Sequence, residues 1–465
     1  YQWNGTAWVQ LGNDIDGESQ LDNSGHSVSL SSDGTVVAIG AWLNGDNGIG
    51  SGHTRLYQWN GTAWVQLGND IDGEAQLDNS GHSVRLSSDG TLVAIGSYLN
   101  NGNGIASGHT RVYQWNGTAW VQLGNDIDGE SQLDNSGHSV SLSSDGTVVA
   151  IGAWLNGDNG IGSGHTRLYQ WNGTAWVQLG NDIDGESQLD NSGHSVSLSS
   201  DGTVVAIGAW LNGDNGIGSG HTRLYQWNGT AWVQLGNDID GESQLDNSGH
   251  SVSLSSDGTV VAIGAWLNGD NGIGSGHTRL YQWNGTAWVQ LGNDIDGEAP
   301  FDNSGNSVSL SSDGTVVAIG AYLNDGGNDN SDFGIGGSNF GHTRVYQNDF
   351  ISPTLSSSIP ADNATAVAVG SNIVLNFSEV VNRATGNIVI YKSSDNSVIE
   401  TIDVTSGQVT GTGTNQITIN PSSDLAESTQ YYVKIAATAF DDASGNSYAG
   451  ISDTTSLSFT TGDFT

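Results

Sequence analysis

The 465-residue chain sets 49 acidic residues against 10 basic ones, for a formal net charge of −39, and contains neither cysteine nor methionine. That balance excludes nucleic acid as a partner, because phosphate binding needs Lys and Arg to displace counterions, and it disfavours an anionic membrane surface. Without cysteine there is no disulfide framework or thiolate metal site, and with no run of about 18 apolar residues no membrane insertion is expected.

An acidic surface of this kind suits high salt or divalent cations in an extracellular setting. With no initiator Met, the chain is expected to be a fragment or processed form of a longer multidomain chain.

Residues 1–345 are six copies of one unit: 1–56, 57–112, 113–168, 169–224, 225–280 and 281–345. The first five are 56 residues long and the sixth 65; copies one, three, four and five are identical. Within a unit, Ser27–Ser31 alternates polar and apolar as a half-buried strand does. Asp33-Gly34 is a turn signal, and Val36–Ala41 is a β-branched apolar run that reads as a covered strand. A Gly/Asn/Asp loop spans 44–52, His53–Trp59 reads as a third strand, Asn60-Gly61 as a tight turn, and Thr62–Gly68 as a fourth strand. No segment reads as a helix. Four antiparallel strands per unit of this length predict a propeller blade. The chain opens with a complete fourth strand and leaves the sixth unit after its third. The expected fold is therefore all-β: a six-bladed β-propeller over 1–349, with the N-terminal strand Thr6–Gly12 closing the ring beside His342–Gln347.

After Gln347 the composition shifts: lysine appears and tryptophan disappears. Residues 350–353 read as a linker and 354–465 as a C-terminal Ig-like β-sandwich. Its expected strands are Asn372–Phe377, Asn387–Tyr391, Gln416–Ile419, Tyr431–Ile435 and Leu457–Thr460.

Two resemblances follow from these motifs. The stretch Ser24-Gly25-His26-Ser27-Val28, through Asp33-Gly34, to Val37-Ala38-Ile39-Gly40-Ala41 resembles the FG-GAP repeat of integrin-α-like propellers. It departs from that family at His26 (Phe there) and Trp42 (Pro there). The family's calcium loop is shortened here to Ser31-Ser32-Asp33-Gly34, so that site is not carried onto Asp33. The tail resembles bacterial Ig-like domains of S-layer and large surface proteins at Ile359-Pro360-Ala361-Asp362-Asn363, Val374–Glu379, Tyr431–Ile435, Asp442–Asn446 and Phe459-Thr460-Thr461. That likeness implies a spacer or stalk in a bacterial extracellular or cell-surface protein.

The acids Asp14, Asp16, Glu18 and Asp22 recur in every unit. They read either as the opening of a calcium loop or as a solvated inter-repeat turn. The loop at 44–48 reads as a flexible hairpin loop, since the second unit loses its only acid there. In the sixth unit that loop expands and gathers Asp325, Asp329 and Asp332, a candidate single cation site. His26 and His53 are expected to hydrogen-bond neighbouring strands within each blade, because zinc needs three or four converging ligands and no short spacing supplies them. Arg55 is expected to pair with a neighbouring Asp. Trp3, Trp8 and Trp42 serve either inter-blade packing or sugar platforms. Asn4-Gly5-Thr6 is an N-glycosylation sequon that a hairpin turn also explains.

Catalysis needs unlike residues converging at one point, whereas copied units offer symmetric sets. The few asymmetric positions are Arg85, Tyr98, Phe301, Asn306 and the 324–340 insertion. The expectation is a non-enzymatic surface module for adhesion or surface architecture, with calcium as its only cofactor and a surface glycan or protein as ligand. The alternative is a calcium-dependent multivalent lectin.

Overall fold

The computed structural model describes residues 1–324, 341–347, 352–442 and 445–463. The chain divides into two compact units, Tyr1–Gln347 and Asn348–Thr465. Among the described residues every element is a strand.

The chain begins with a hairpin of β1 (Gln2–Trp3) and β2 (Trp8–Val9). Its turn is fixed by Asn4, whose Oδ1 accepts from the Thr6 and Ala7 amides at 2.9 Å, and by Gly5 at φ +96°. This is the turn that the sequon spells. The first full sheet follows, in the order β3 (Ser24–Leu30), β4 (Val36–Ala41), β5 (His53–Trp59), β6 (Trp64–Gln66), with β7 (Ile71–Asp72) also pairing β5. The middle strands coincide with the expected ones. The fourth is shorter and breaks in two, resuming at β7 opposite His53 and Thr54. The β3–β4 turn is an Asp turn: Asp33 Oδ1 accepts from Ser31 Oγ at 2.7 Å and the Thr35 amide at 2.9 Å.

The same order recurs in the next four units, and the sixth sheet has three strands, Ser304–Leu310, Val316–Ala321 and His342–Gln347. The expected ring closure is not formed. Among the described residues β2 pairs with β1 alone, and His342–Gln347 pairs with Val316–Ala321 alone. Just beyond the hairpin, the Leu11 carbonyl accepts from the Trp64 indole N–H at 3.1 Å, the contact that recurs between later repeats as Trp120 to Leu67. The first inner strand is correspondingly bare: Val28 and Leu30 are 62% and 60% exposed, against 6% and 5% for Val84 and Leu86 in the second sheet.

Among the described residues no repeat has a core of its own. Each apolar cluster draws on two successive sheets; Val148, Ala150 and Leu168 of the third meet Leu198, Val205 and Ile207 of the fourth. Polar seams run beside these clusters. The Ser32 amide donates to the Ser88 carbonyl, and the pattern repeats through Ser144, Ser200, Ser256 and Ser312 at 2.8–2.9 Å. The seam is closest at paired glycines, where a Cβ on Gly152 would overlap the Gly193 carbonyl oxygen.

The C-terminal unit has two five-stranded sheets. One runs Leu355–Ile359, Ile373–Arg383, Thr414–Ile419, Val409–Thr410, with Phe440–Asp441 pairing Ile373–Arg383. The other runs Ala364–Val367, Ser458–Thr461, Gln430–Ile435, Asn387–Lys392, Val398–Asp403. Leu375 and Ile417 of the first share a core with Ile390 and Val433 of the second, all fully buried.

Gly152→Ala should destabilise the array by about 3 kcal/mol through backbone overlap at the seam. Gly173→Ala, at φ +96° with open space around it, should cost about 1 kcal/mol from backbone strain alone. Chemical denaturation of the two variants checks the ranking.

Candidate metal centre

Two rows of histidines run through the repeats, and the structure gives them different surroundings. The inner row is His26, His82, His138, His194 and His250, with Asn306 in the sixth unit. Successive rings lie tilted at 40–43° to one another with centroids 4.7–4.8 Å apart. The Nδ1 of each lies 3.2–3.4 Å from the main-chain oxygen of its counterpart one unit on. These contacts join neighbouring units, not strands of one blade as expected. Burial, together with neighbouring imidazoles, pushes His82 down to about 4, His194 to about 3, and His138 well below the ordinary range; burial alone takes His250 to about 4. This row is structural. Beside it, inner strands of all six units border a central space of about 780 Å³, which Arg85 enters where other units have Ser.

The outer row heads each third strand: His53, His109, His165, His221, His277 and His342. Main-chain pairing of β5 with β4 and β7 fixes His53, whose side chain is 1% exposed. Three carboxylates reach its Nδ1 from three different segments: Glu18 Oε2 at 3.8 Å, Asp46 Oδ2 at 3.7 Å and Asp70 Oδ2 at 3.8 Å. Glu18 precedes β3, Asp46 lies between β4 and β5, and Asp70 belongs to the following unit. The arrangement recurs as Glu130, Asp158, His165, Asp182; as Glu186, Asp214, His221, Asp238; and as Glu242, Asp270, His277, Asp294. In every cluster the ligand atoms lie within 4.8 Å of one another. The second unit has Gly102 where the first has Asp46, leaving Glu74, His109 and Asp126.

The carboxylates are held from behind. Glu18 Oε1 meets Arg55 Nη1 at 3.4 Å while its Oε2 faces the histidine. Asp70 takes the Gln66 amide on Oδ1 and turns Oδ2 inward. The Asp46 amide donates to Asn44 Oδ1 at 2.9 Å, which fixes the loop. Burial, with Arg167 beside it, holds His165 down at about 4, and burial with Arg223 does the same for His221. Burial also raises Glu130 and Asp184, and neighbouring acids add to the effect.

The acidic run therefore does not form one loop site. Glu18 goes to the cluster of its own unit, while Asp70, the counterpart of Asp14 one unit on, also joins it; Asp14 itself takes a hydrogen bond from Gln10 at 2.7 Å. Asp16 lends its carbonyl to Arg55 Nη2 at 2.6 Å, so the arginine pairs with a Glu and a backbone oxygen instead of an Asp side chain. Asp22 is buried, accepting from the Ser19 amide at 2.8 Å and Asn44 Nδ2 at 3.2 Å. Asp325, Asp329 and Asp332 lie outside the described residues. Asp46 was read as part of a flexible loop and His53 as a contact between strands, because their partners sit in other segments. The usable signal was the join between units, since Asp70 lies beyond the unit that holds His53.

Alongside the clusters lie recesses between repeats, of about 340 Å³ by Asp70, Asp72, Tyr113 and Trp120 and about 310 Å³ at each of two equivalents. The Trp120 indole N–H is committed to the Leu67 carbonyl at 2.8 Å, so the ring is a fixed wall.

Residues 349–461 match the family model of the bacterial Ig-like domain. No curated protein matches the chain. Similar solved structures include the periplasmic gluconolactonase of Pseudomonas aeruginosa (14% identity, TM-score 0.46, covering 70% of this chain and 81% of that one). A proposed 6-phosphogluconolactonase from Bacteroides uniformis gives 10%, 0.46, 70% and 81%. Hydrazine synthase of Kuenenia stuttgartiensis gives 12%, 0.44, 68% and 78%. The expectation that the chain is not an enzyme is corrected on this finding. Proteins named as enzymes stand among its structural neighbours. The likeness assigns this chain no activity, substrate or catalytic residue.

The inner histidines set a pH dependence. Unfolded histidines take up protons below about 6.5, whereas His82, His194 and His250 stay neutral down to about 3 or 4 when folded. Stability is fully present above about pH 6.5 and is lost as pH falls toward 4. The melting temperature should drop between pH 7 and 5.5. His138→Asn, which copies the residue found at Asn306, should flatten that slope.

Proposed function

We propose that the chain is a module of a bacterial extracellular or cell-surface protein, with the repeat array serving adhesion or surface architecture and the Ig-like domain acting as a spacer. The observation that carries this reading is the bacterial Ig-like match at 349–461. The absence of cysteine, the strong negative charge and the FG-GAP-like repeat pattern agree with it. Antibody labelling of intact cells of the source organism tests it. Labelling without permeabilisation is expected, and a signal confined to lysed cells overturns it.

A second reading, a cation-dependent multivalent lectin, is favoured by the repeated recess. It offers a fixed indole, a tyrosine and aspartates, one of which also belongs to the cation cluster. Aromatic faces and carboxylates are a common pairing for sugar hydroxyls, and several equivalent recesses would multiply avidity. A glycan array run with and without chelator tests this reading. Binding that chelation removes supports it; no binding, or binding that chelator leaves intact, overturns it.

A further inference from the structure

We propose that the four complete outer clusters are inter-repeat binding sites for a divalent transition ion of the zinc type, each coordinated by one imidazole nitrogen and three carboxylate oxygens. The residues are Glu18, Asp46, His53 and Asp70 in the first site and their counterparts around His165, His221 and His277.

The geometry of the histidine nitrogen carries the inference. Nδ1 of His53, His165, His221 and His277 is buried and has no hydrogen-bond partner among the described residues. An N–H directed at a carboxylate group ordinarily settles on one partner near 2.9 Å. Here three oxygens stand at nearly equal distances instead: 3.8, 3.7 and 3.8 Å from His53, and 3.9, 3.8 and 3.9 Å from His165. Four atoms held about 2.2 Å from a central ion at tetrahedral corners are about 3.6 Å apart. The Nδ1-to-oxygen distances match that spacing within a few tenths of an ångström, and the ligand atoms, all within 4.8 Å of one another, contract onto the ion.

Charge leads to the same conclusion. Three carboxylates face one arginine, Arg167 Nη1 lying 3.3 Å from Glu130 Oε1, so each site carries two uncompensated negative charges when ionised. A divalent ion cancels them. The second-oxygen contacts from arginine and glutamine leave Glu130 and Asp182 one inward oxygen each, as monodentate ligation requires. Donor chemistry selects the ion. Calcium takes six to eight oxygens, whereas one imidazole with carboxylates in fourfold array suits zinc and its neighbours. Each site ties two successive units together, since the last aspartate always comes from the following repeat.

The second unit supplies a built-in control. Gly102 removes one ligand from the His109 cluster, yet its amide is held by Asn100 Oδ1 at 2.7 Å, much as the Asp46 amide is held by Asn44 at 2.9 Å. Gly102 lies outside the positive-φ glycines, so its backbone accepts a side chain once the Asp128 carboxylate, 2.9 Å from a Cβ placed there, swings aside.

The test is zinc stoichiometry of the whole chain by elemental analysis, after chelator treatment, reloading with Zn2+ and dialysis. Melting curves verify that each variant is folded. Asp158→Asn should lower the zinc content by one ion per chain and Gly102→Asp should raise it by one. Zinc should also survive millimolar calcium. A stoichiometry that neither substitution changes overturns the assignment of these residues, and displacement by calcium overturns the choice of ion.

Discussion

Everything in the repeat array depends on one constraint: a unit that cannot bury its own apolar face must offer a front that fits its own back. Contacts across a seam therefore join a residue to its counterpart one period later, or to a near neighbour of it. The serine ladder from Ser32 to Ser312 obeys this rule, as do the histidine contacts and the fusion of Val148 and Leu168 with Val205 and Ile207. Gly152 against Gly193 sets how closely the units approach, because the backbone of one sits where a side chain of the other would be.

The same constraint explains why an acidic chain tolerates clustered carboxylates. A seam that recurs cannot vary its charge from place to place, so each must be balanced locally. Arg55 and its counterparts do part of this. Each guanidinium reaches a backbone carbonyl and a glutamate while lying over the tyrosine two residues on, 5.7 Å from the Tyr57 centroid. His53 beside Arg55 stays buried, and the remaining negative charge faces its Nδ1.

Strands were legible because they depend on local pattern. Val36–Ala41 and His53–Trp59 have the bounds that alternation and turn chemistry indicate. Closure was not legible, because it depends on which neighbour the terminal strand meets, and among the described residues β2 pairs with β1 alone. The cluster was half legible. Glu18 stood out as an acid, but His53 acquires its meaning only when Asp46 folds back and Asp70 arrives from the next unit. In the tail, Leu355–Ile359 and Val398–Asp403 escaped notice because their serines and acids mask the alternation.

The bare edge at Val28 and Leu30 has a counterpart in the seams themselves. Since each seam is written in the same residues, gaining or losing a whole 56-residue unit between ordinary repeats leaves every remaining seam with its partners. A shift of a single residue unmakes them all. The array behaves as a ruler graduated in whole units, whose reach can be reset by slippage between copies without any compensating substitution elsewhere in the chain.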